Sequence, residues 1–354
     1  MQHSQAQEAH TVTIDPVGDE SRQAWNDFIA SHPLGSFYHL YEWKALNESV
    51  LGHSTDYLVA RDKLGTIQGA LPLTTVQSRL FGRILCSVPF VNFGGPVAAH
   101  TKVASRLVEH AMVLAEAQGA NYLELRCASP LDTTLPASLK KVSLTVSLPA
   151  DPEALWRSFS SKHRNNIRRA QKRGLEVHSG RLDLFNDFYS VLEESWRDLG
   201  TPLYSPKYFK TILAAFGEQT RVFVCSLGGE PIAVALNGYF NGTVEGMWAG
   251  NSRRSRDLEA NYVLYLEMLR DACARGFNKF HLGRSTADST GEQFKMKWNA
   301  EIAQLYWYFY RPDGGSMPDL NVDNPRYRRA IRVWRRLPLW ATRLIGPQVA
   351  RLIP

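Results

Sequence analysis

Residues 221–246 decide the fold, and they read RVFVCSLGGEPIAVALNGYFNGTVEG. Apolar runs on either side of Gly228-Gly229 predict two strands joined by a tight turn. Asn241-Gly242, between Tyr239-Phe240 and Thr243-Val244, predicts a two-residue hairpin, since both residues tolerate the positive φ that such turns need. The stretch therefore predicts three antiparallel strands in succession.

The same order of elements is predicted in both halves of the chain. The corresponding segments are 57–71 and 221–236 for strand, turn and strand, 102–118 and 262–275 for a helix, and 121–126 and 278–282 for a closing strand. A glycine, Gly119 or Gly276, follows each helix as its stop signal. The repeated order predicts an internal duplication, with a mixed antiparallel and parallel sheet flanked by helices in each half.

The overall composition fits two ordinary soluble domains. The chain has 354 residues, of which 44% are hydrophobic and 21% are charged, and domains commonly take about 100–200 residues each. We expect a first domain at 1–150, a second at 151–312 and a basic C-terminal segment at 313–354. The net charge of +7 favours anionic partners, but it does not distinguish RNA, phospholipid, nucleotide or sugar phosphate.

The sequence shows no sign of export, membrane spanning or metal binding. Its polar N-terminus lacks a basic region leading into an apolar stretch, and no window reaches the roughly eighteen apolar residues of a spanning helix. The four cysteines have neither disulfide-framework nor metal-ligand spacing, so each is expected to be a small buried residue. We therefore expect a cytoplasmic protein without a metal site.

A cationic helix is predicted at 161–174, where six Lys or Arg fall within twelve residues. Arg164, Arg168 and Lys172 recur at four-residue steps and share one face, and the opposite side is apolar. Like charges at this spacing repel by about 0.2–0.5 kcal/mol per pair. A bound phosphate or carboxylate would more than offset that cost. A solvated charged face is the alternative, and the segment alone does not separate the two.

Several motifs resemble the FemAB family of aminoacyl and acyl transferases, whose members contain two tandem GNAT-like domains. The motifs are KHRNNIRRA at 162–170 with Gly174, RDLGTP at 197–202, LGRS at 282–285, QFKMKW at 293–298 and, in the first half, FVNFGGP at 90–96. The resemblance is nearest to the branch associated with exosortase and PEP-CTERM exopolysaccharide systems. It implies a mixed α/β fold (α+β) of two tandem GNAT-like domains with a cleft between them.

The resemblance implies transfer of an acyl or aminoacyl group to an amine, commonly on a cell-wall precursor. An amine that attacks an activated ester forms a tetrahedral oxyanion, so positioning and cationic donors can supply most of the rate. From their motif positions we expect Lys295 and Arg284 to be catalytic contacts to a phosphate or to the oxyanion. The expected substrate-binding residues are Lys162, Arg164, Asn165, Arg168, Thr201, Ser285 and Phe294.

The general base is left open at this stage. Asp198, Asp257 and Glu259 are candidates, although deprotonation assisted by the substrate itself would need none of them. Ser285 has no evident His or Asp partner in the sequence, so a serine nucleophile is not expected.

The acyl donor is left open among aminoacyl-tRNA, acyl-CoA and acyl carrier protein, and no tightly bound cofactor is expected. The glycine-rich pyrophosphate loop of coenzyme-A-using GNAT domains is absent, because residues 252–261 read SRRSRDLEAN. Glycine lets backbone N–H groups approach a phosphate closely, so a standard coenzyme A site is disfavoured. Arg253, Arg254 and Arg256 could still hold an anion by their side chains. The expected partner is an anionic or phosphate-bearing envelope precursor, and transfer RNA stays open.

The C-terminal segment from Pro325 to Arg351 contains eight arginines and no acidic residue. An amphipathic stretch rich in Arg and Trp can lie on an anionic membrane, which would place the protein at the inner membrane face. The alternative is a terminal helix that packs back on the first domain, since Pro338 and Pro347 limit its length.

The sequence is compatible with three functions. The first is a FemAB-like transferase that acts on a cell-envelope or exopolysaccharide precursor. The second is a GNAT-like N-acyltransferase that uses acyl-CoA or acyl carrier protein and a small amine. The third is a non-catalytic scaffold that binds an anionic polymer or a membrane.

Overall fold

The computed structural model describes residues 12–78, 82–316 and 325–353, with the backbone alone for 325–327. The strands are β1 (Thr13–Pro16), β2 (Ser54–Arg61), β3 (Ile67–Ser78), β4 (Gly82–Cys86), β5 (Val97–Ala98), β6 (Tyr122–Cys127), β7 (Ala137–Ser138), β8 (Lys141–Ser147), β9 (Leu175–Gly180), β10 (Thr220–Leu227), β11 (Glu230–Phe240), β12 (Thr243–Asn251), β13 (Lys279–Thr286), β14 (Glu301–Gln304) and β15 (Tyr306–Tyr310).

The α-helices cover both halves of the chain. They are α1 (Arg22–Ser31), α2 (Glu42–Ser49), α3 (Thr101–Ala117), α4 (Pro152–Ser158), α5 (Ser161–Gln171), α6 (Phe185–Leu199), α7 (Pro206–Phe216), α8 (Arg253–Leu258), α9 (Ala260–Ala274), α10 (Thr290–Met296), α11 (Pro325–Trp334) and α12 (Leu339–Ala350). Within the described ranges, none of these helices combines the length and the apolar character that crossing a bilayer requires.

The first sheet has the strand order β1-β2-β3-β4-β6-β15-β7, with β5 beside β3. Strands β2, β3 and β4 form an antiparallel meander, and β4 pairs in parallel with β6. A parallel pair needs a crossover connection, and α3 provides it. The apolar face of α3, with Val103, Leu107 and Ala111, is buried in one core with Leu71 and Leu123 of the sheet.

The second sheet has the order β14-β8-β13-β12-β11-β10-β9. Strands β10, β11 and β12 form an antiparallel meander, β12 pairs in parallel with β13, and α9 is the crossover. Asn241 and Gly242 join β11 to β12 with φ of 50° and 74°, the two positive values of a type I′ turn, so the predicted hairpin is confirmed. Each sheet thus contains the predicted antiparallel strands, helix and closing strand, and the mixed α/β fold class is confirmed.

Two strands lie in a different sheet from the one that chain order suggests. Strand β8 is part of the second sheet, and β15 lies between β6 and β7 in the first. One compact unit accordingly comprises the described residues of 1–142, 303–319 and 352–354, and the other those of 143–302 and 320–351. These limits differ from the expected domains 1–150, 151–312 and 313–354, because β8 pairs with strands of the second sheet and β15 with strands of the first.

The C-terminal helices pack on the second unit, which corrects the expectation that they pack back on the first domain. Arg343 of α12 pairs with the buried carboxylate of Glu193 on α6, with Nε at 2.9 Å from Oε2. A buried carboxylate is costly without a partner, so this ion pair fixes α12 on α6. Arg335, which follows α11, donates to the carbonyl of Leu199 at the end of α6.

We expect Gly200→Ala to destabilise the second unit more than Gly276→Ala does. Both glycines follow a helix of this unit with φ near +80°, which costs an alanine about 1–2 kcal/mol. A methyl group at Gly200 would also lie 2.4 Å from the side chain of Ile331 on α11, whereas nothing lies within 4 Å at Gly276. Overpacking adds about 1–3 kcal/mol to the loss of unfolding free energy at Gly200. Chemical denaturation of the two variants measures the difference, and equal losses would contradict the packing of α11 on α6.

Candidate functional site

The site begins where two parallel strands of the second sheet part. The ladder between β12 and β13 joins only Thr243–Glu245 to Lys279–His281, although β13 continues to Thr286. At the last pair, Glu245 Oε2 lies 2.6 Å from Nδ1 of His281, and Nε2 of His281 lies 2.7 Å from the hydroxyl of Ser143 on β8. These three buried side chains link β12, β13 and β8 directly before the separation. Their burial favours a structural role for the serine over a nucleophilic one.

Lys295 of α10 lies at the separated end of β13. Its Nζ donates hydrogen bonds to the carbonyl oxygens of Gly283 at 3.2 Å and Arg284 at 3.0 Å. Successive carbonyls of a regular strand point in opposite directions. Gly283 has φ of +75°, so the chain turns there and both carbonyls reach one ammonium group. The glycine of the LGRS motif thus makes the contact with the lysine of the QFKMKW motif.

The environment of the Lys295 ammonium group lowers its pKa. Burial, together with the charge of Arg284, lowers the pKa of Lys295 to about 8. An ammonium group has three N–H donors, and the two carbonyls account for two of them. Within the described part of the chain, these two carbonyls are the acceptors that contact Nζ. Arg284 and Ser285 are half-buried on β13 beside it, so the structure brings the expected residues Lys295, Arg284, Ser285 and Phe294 together.

An aromatic cluster joins helices α5, α9 and α10 around this strand end. Phe294 contacts the rings of Tyr262 and Tyr265, with centroids at 5.7 and 5.3 Å. His163 lies edge-on to Trp298, with the ring centroids 4.5 Å apart and the planes at 88°. Edge-to-face contacts of this kind favour one arrangement of the rings. The cluster therefore holds the KHRNNIRRA and QFKMKW motifs in a fixed relation.

His163 and Trp298 contain buried polar atoms without hydrogen bonds. Both ring nitrogens of His163 and Nε1 of Trp298 are buried and have no hydrogen-bond partner in the described part of the chain. Burial, and to a smaller extent the charge of Lys297, lowers the pKa of His163 to about 4, so the imidazole is neutral at neutral pH. The edge-on geometry allows an N–H group to point at an aromatic face, which is a weak substitute for a hydrogen bond.

Lys297 is a second lysine of the site that the sequence interpretation did not select. Its Nζ lies 6.0 Å and 5.8 Å above the rings of Tyr262 and Phe294 and 3.4 Å from the hydroxyl of Tyr262. It is exposed, in contrast with Lys295. The two-residue spacing of the lysines in QFKMKW could have indicated this difference in environment, since it places them on different sides of one helical turn.

The positive charges of α5 are largely compensated within the protein. Arg164 donates to the carbonyls of Arg157 and Phe159 at 3.0 and 2.7 Å, where α4 ends. Arg168 lies 5.2 Å above the ring of Trp156. Arg169 forms a bidentate pair with Glu259 at 2.5 and 2.9 Å, and Arg173 lies 3.7 Å from the same carboxylate. Contacts within the protein therefore offset much of the repulsion on this helix without an external anion.

The remaining expected binding residues lie in two places. Lys162 is exposed in the first turn of α5, and Asn165 accepts a long hydrogen bond of 3.4 Å from Arg168. Thr201 lies elsewhere, at the end of α6, where it lines a small cavity with Trp334 and Arg343 of the C-terminal segment. The structure therefore separates Thr201 from the β13 and α10 residues and associates it with the packing of α11 and α12.

Two of the three candidate bases, Asp198 and Glu259, have carboxylates that pair with arginines, whereas the exposed Asp257 contacts an arginine through its backbone carbonyl. Asp198 is paired with Arg197 and Arg253; although burial alone would raise the pKa of Asp198, hydrogen bonds from both guanidinium groups lower it. Glu259 holds Arg169, and the backbone carbonyl of Asp257 accepts from Arg173. A carboxylate with a lowered pKa is a poor base at neutral pH, so Asp198 is disfavoured.

The stretch SRRSRDLEAN forms a short helix instead of a phosphate-binding loop. Ser252 caps α8 by accepting from the backbone N–H of Ser255, and Glu259 makes the turn into α9 with φ of +56°. Arg253 pairs with Asp198 and Arg254 with Glu230. Two of the three arginines that could have held an anion therefore have carboxylate partners. Among the described residues, no group of three or more His, Cys, Asp or Glu is placed to hold a metal ion.

The first unit contains a pocket of its own, of about 150 Å³. It lies at the start of α3, and its lining includes Phe93 and Gly95 of the FVNFGGP loop together with His39, Thr101 and Cys127. His39 is fixed by its Nε2 at 3.0 Å from the carbonyl of Gly95, and burial lowers its pKa to about 4. The FVNFGGP loop thus forms one wall of this pocket.

The second unit matches a known domain family. Residues 161–296 match the family described as the acetyltransferase (GNAT) domain, from the first residue of α5 to the last of α10. The chain is similar to UDP-N-acetylmuramoylpentapeptide-lysine N(6)-alanyltransferase of Weissella viridescens, with 28% identity over 139 residues. That match covers 38% of this chain and 40% of the length of that enzyme.

Solved structures share the fold over most of the chain. The structure of FemX has a TM-score of 0.65 and 14% identity, and the match covers 84% of this chain and 97% of that one. The L-PGS structure from Bacillus licheniformis has a TM-score of 0.55 and 14% identity, with 94% and 98% coverage. A tandem GNAT protein from the clavulanic acid pathway has a TM-score of 0.52 and 13% identity, with 87% and 100% coverage. The expected fold of tandem GNAT-like domains is confirmed.

We expect Arg164→Gln to destabilise the protein, because two carbonyls at the end of α4 lose a charged donor. The expected loss of unfolding free energy is about 1–2 kcal/mol. Lys162→Gln, two residues earlier on the same helix, is the matched control, since Lys162 is exposed and should change the free energy little. Chemical denaturation compares the two variants. An Arg164→Gln protein as stable as Lys162→Gln would return Arg164 to the role of a free anion contact.

Proposed function

We propose that this chain, which belongs to the FemAB family of tandem GNAT-like proteins, transfers an acyl or aminoacyl group onto an amine of a cell-envelope or exopolysaccharide precursor. One observation carries the proposal. A partly buried ammonium group lies at the separated end of β13, within the GNAT-type domain. The named activity of the Weissella viridescens relative, which is alanyl transfer to a lysine, supports the same reaction class.

The residues at the end of β13 suit direct attack without a covalent enzyme intermediate. The acceptor amine would form the new C–N bond, the ester C–O bond would break, and the negative charge would develop on the carbonyl oxygen between these events. The third N–H of Lys295 would stabilise that oxyanion or a substrate phosphate, and Arg284 would add positive charge. Because arginines hold the carboxylates of Asp198 and Glu259, we propose that the amine proton passes to the leaving ester oxygen of the donor substrate itself.

Among the donors, we propose aminoacyl-tRNA. The phosphate loop of a standard coenzyme A site is replaced by α8, which argues against acyl-CoA. Lys162 and Arg168 on the exposed side of α5 would contact phosphates of the donor or acceptor. A GNAT-like N-acyltransferase that uses acyl carrier protein is the second candidate, because it needs no pyrophosphate loop. Membership of the exosortase-associated branch and the cleft between the two domains stay predictions.

A donor assay tests the proposal. Radiolabelled aminoacyl-tRNA, acyl-CoA and acyl carrier protein would each be offered with an extract of envelope precursors as acceptor. Transfer from aminoacyl-tRNA to an amine is the expected result. Transfer only from acyl-CoA or acyl carrier protein would favour the second candidate, and no transfer from any donor, with tight binding of the precursor, would favour a non-catalytic scaffold.

We expect Lys295→Ala to lower kcat and kcat/KM together by about a hundredfold, because it removes a donor to charge that develops in the transition state. Lys279→Ala, an exposed lysine at the start of the same strand, is the control and should retain full activity. If KM rises while kcat is unchanged, Lys295 only grips a ground-state phosphate. A folded Lys295→Ala protein with the activity of the parent would exclude both roles.

We also expect a difference in pH dependence between the parent and Lys295→Arg. The pKa of Lys295 is lowered to about 8, so its positive charge is present below that pH and is lost as the pH rises through it. An arginine stays charged throughout this range. The ratio of kcat/KM of the parent to that of Lys295→Arg should therefore decrease as the pH rises from about 7 to about 9.5. Titration of the acceptor amine affects both proteins equally and cancels in this ratio. A constant ratio would show that the charge of Lys295 does not matter.

A further inference from the structure

The C-terminal helices of the second unit expose apolar and cationic side chains together. Trp340 and Leu344, one turn apart on α12, are 71% and 72% exposed, and Val333 on α11 is 62% exposed. Arg329 and Arg332 on α11 and Arg336 in the turn that follows it are exposed and recur at three- and four-residue steps. These six residues are called the outer face.

The inner faces of the same helices are already occupied. Ile331 of α11 lies against Gly200, and Arg343 of α12 pairs with Glu193. On α12, Ala341, Thr342, Gly346 and Ala350 are buried. The outer face therefore consists of side chains that remain exposed on two helices docked by their other residues, and packing within this unit does not explain its apolar members. Large exposed apolar residues gathered on one face commonly mark an interaction site.

We propose that the outer face binds the surface of an anionic phospholipid bilayer. No acidic residue occurs from Pro325 to the last residue, so the charge of this segment complements lipid phosphates. Tryptophan and leucine favour the boundary between headgroups and acyl chains, where neighbouring arginines can reach phosphates. The inference is independent of the proposed reaction, because it uses none of the residues at β13 and α10.

Charge and side-chain type select a bilayer over two other occupants. A second copy of this chain would place arginines against arginines, which repel each other. A nucleic acid would be met by cations and stacking aromatic rings, and it would leave Leu344 and Val333 without an apolar partner. A bilayer accommodates both the arginines and the aliphatic side chains.

Co-sedimentation with vesicles tests the proposal on the full-length protein. We expect binding to phosphatidylcholine vesicles that contain about 30% phosphatidylglycerol, and little binding to phosphatidylcholine alone, at about 0.1 M salt. Arg329→Gln/Arg332→Gln/Arg336→Gln should weaken binding by about a hundredfold, since each basic residue near an anionic surface contributes about fivefold. Trp340→Ser/Leu344→Ser should weaken it at low and at high salt.

Matched variants control for net charge and for exposed apolar area. Lys102→Gln/Arg106→Gln/Lys140→Gln removes three exposed cations from the first unit, and Leu64→Ser removes a leucine that is 91% exposed there. Both should bind vesicles like the parent. Absence of binding to anionic vesicles, or equal weakening by the control variants, would overturn the proposal. It would also be overturned if Trp340→Ser/Leu344→Ser abolished a dimer, or if the arginine variant lost tRNA binding while vesicle binding was unchanged.

Discussion

The candidate site depends on the hydrogen bonds between the ammonium group of Lys295 and the carbonyls of Gly283 and Arg284. They exist because β12 stops pairing with β13 after His281 and because Gly283 adopts a positive φ. The buried, hydrogen-bonded side chains of Glu245, His281 and Ser143 lie at the last pair before the strands part. The separation of β12 from β13, the turn at Gly283 and the position of α10 therefore coincide at the end of β13. Together they hold the positive charge of Lys295 in place.

The aromatic cluster and the charges of α5 support that geometry. His163 and Trp298 lock α5 to the turn after α10, and Arg164 holds the end of α4. Glu259 neutralises Arg169 and lies close to Arg173, at the turn where α9 begins. The motif KHRNNIRRA therefore has a mainly structural part, which positions α5 and α9, and a smaller exposed part that a ligand can reach.

Local patterns predicted much of the fold, and long-range pairing accounts for what they missed. The turn at Asn241-Gly242, the meanders and the helices follow from residue preferences over a few positions. Local sequence periodicity does not predict that β8 lies in the second sheet and β15 in the first, because each pairs with strands more than a hundred residues away in sequence. The motifs predicted that Lys295, Arg284, Ser285 and Phe294 belong to one site. They did not predict that Glu259 pairs with Arg169, because this contact depends on the positive φ of Glu259, which the sequence does not reveal.

The state of the Lys295 ammonium group tests this account most directly. Heteronuclear NMR of nitrogen-labelled lysine side chains, with the Lys295 signal assigned by its loss in Lys295→Arg, would give the pKa of this one group. The account predicts a pKa of about 8, which rises when a phosphate-bearing donor mimic binds beside it. A signal that titrates near the ordinary value of about 10.4, and that ignores the mimic, would contradict it.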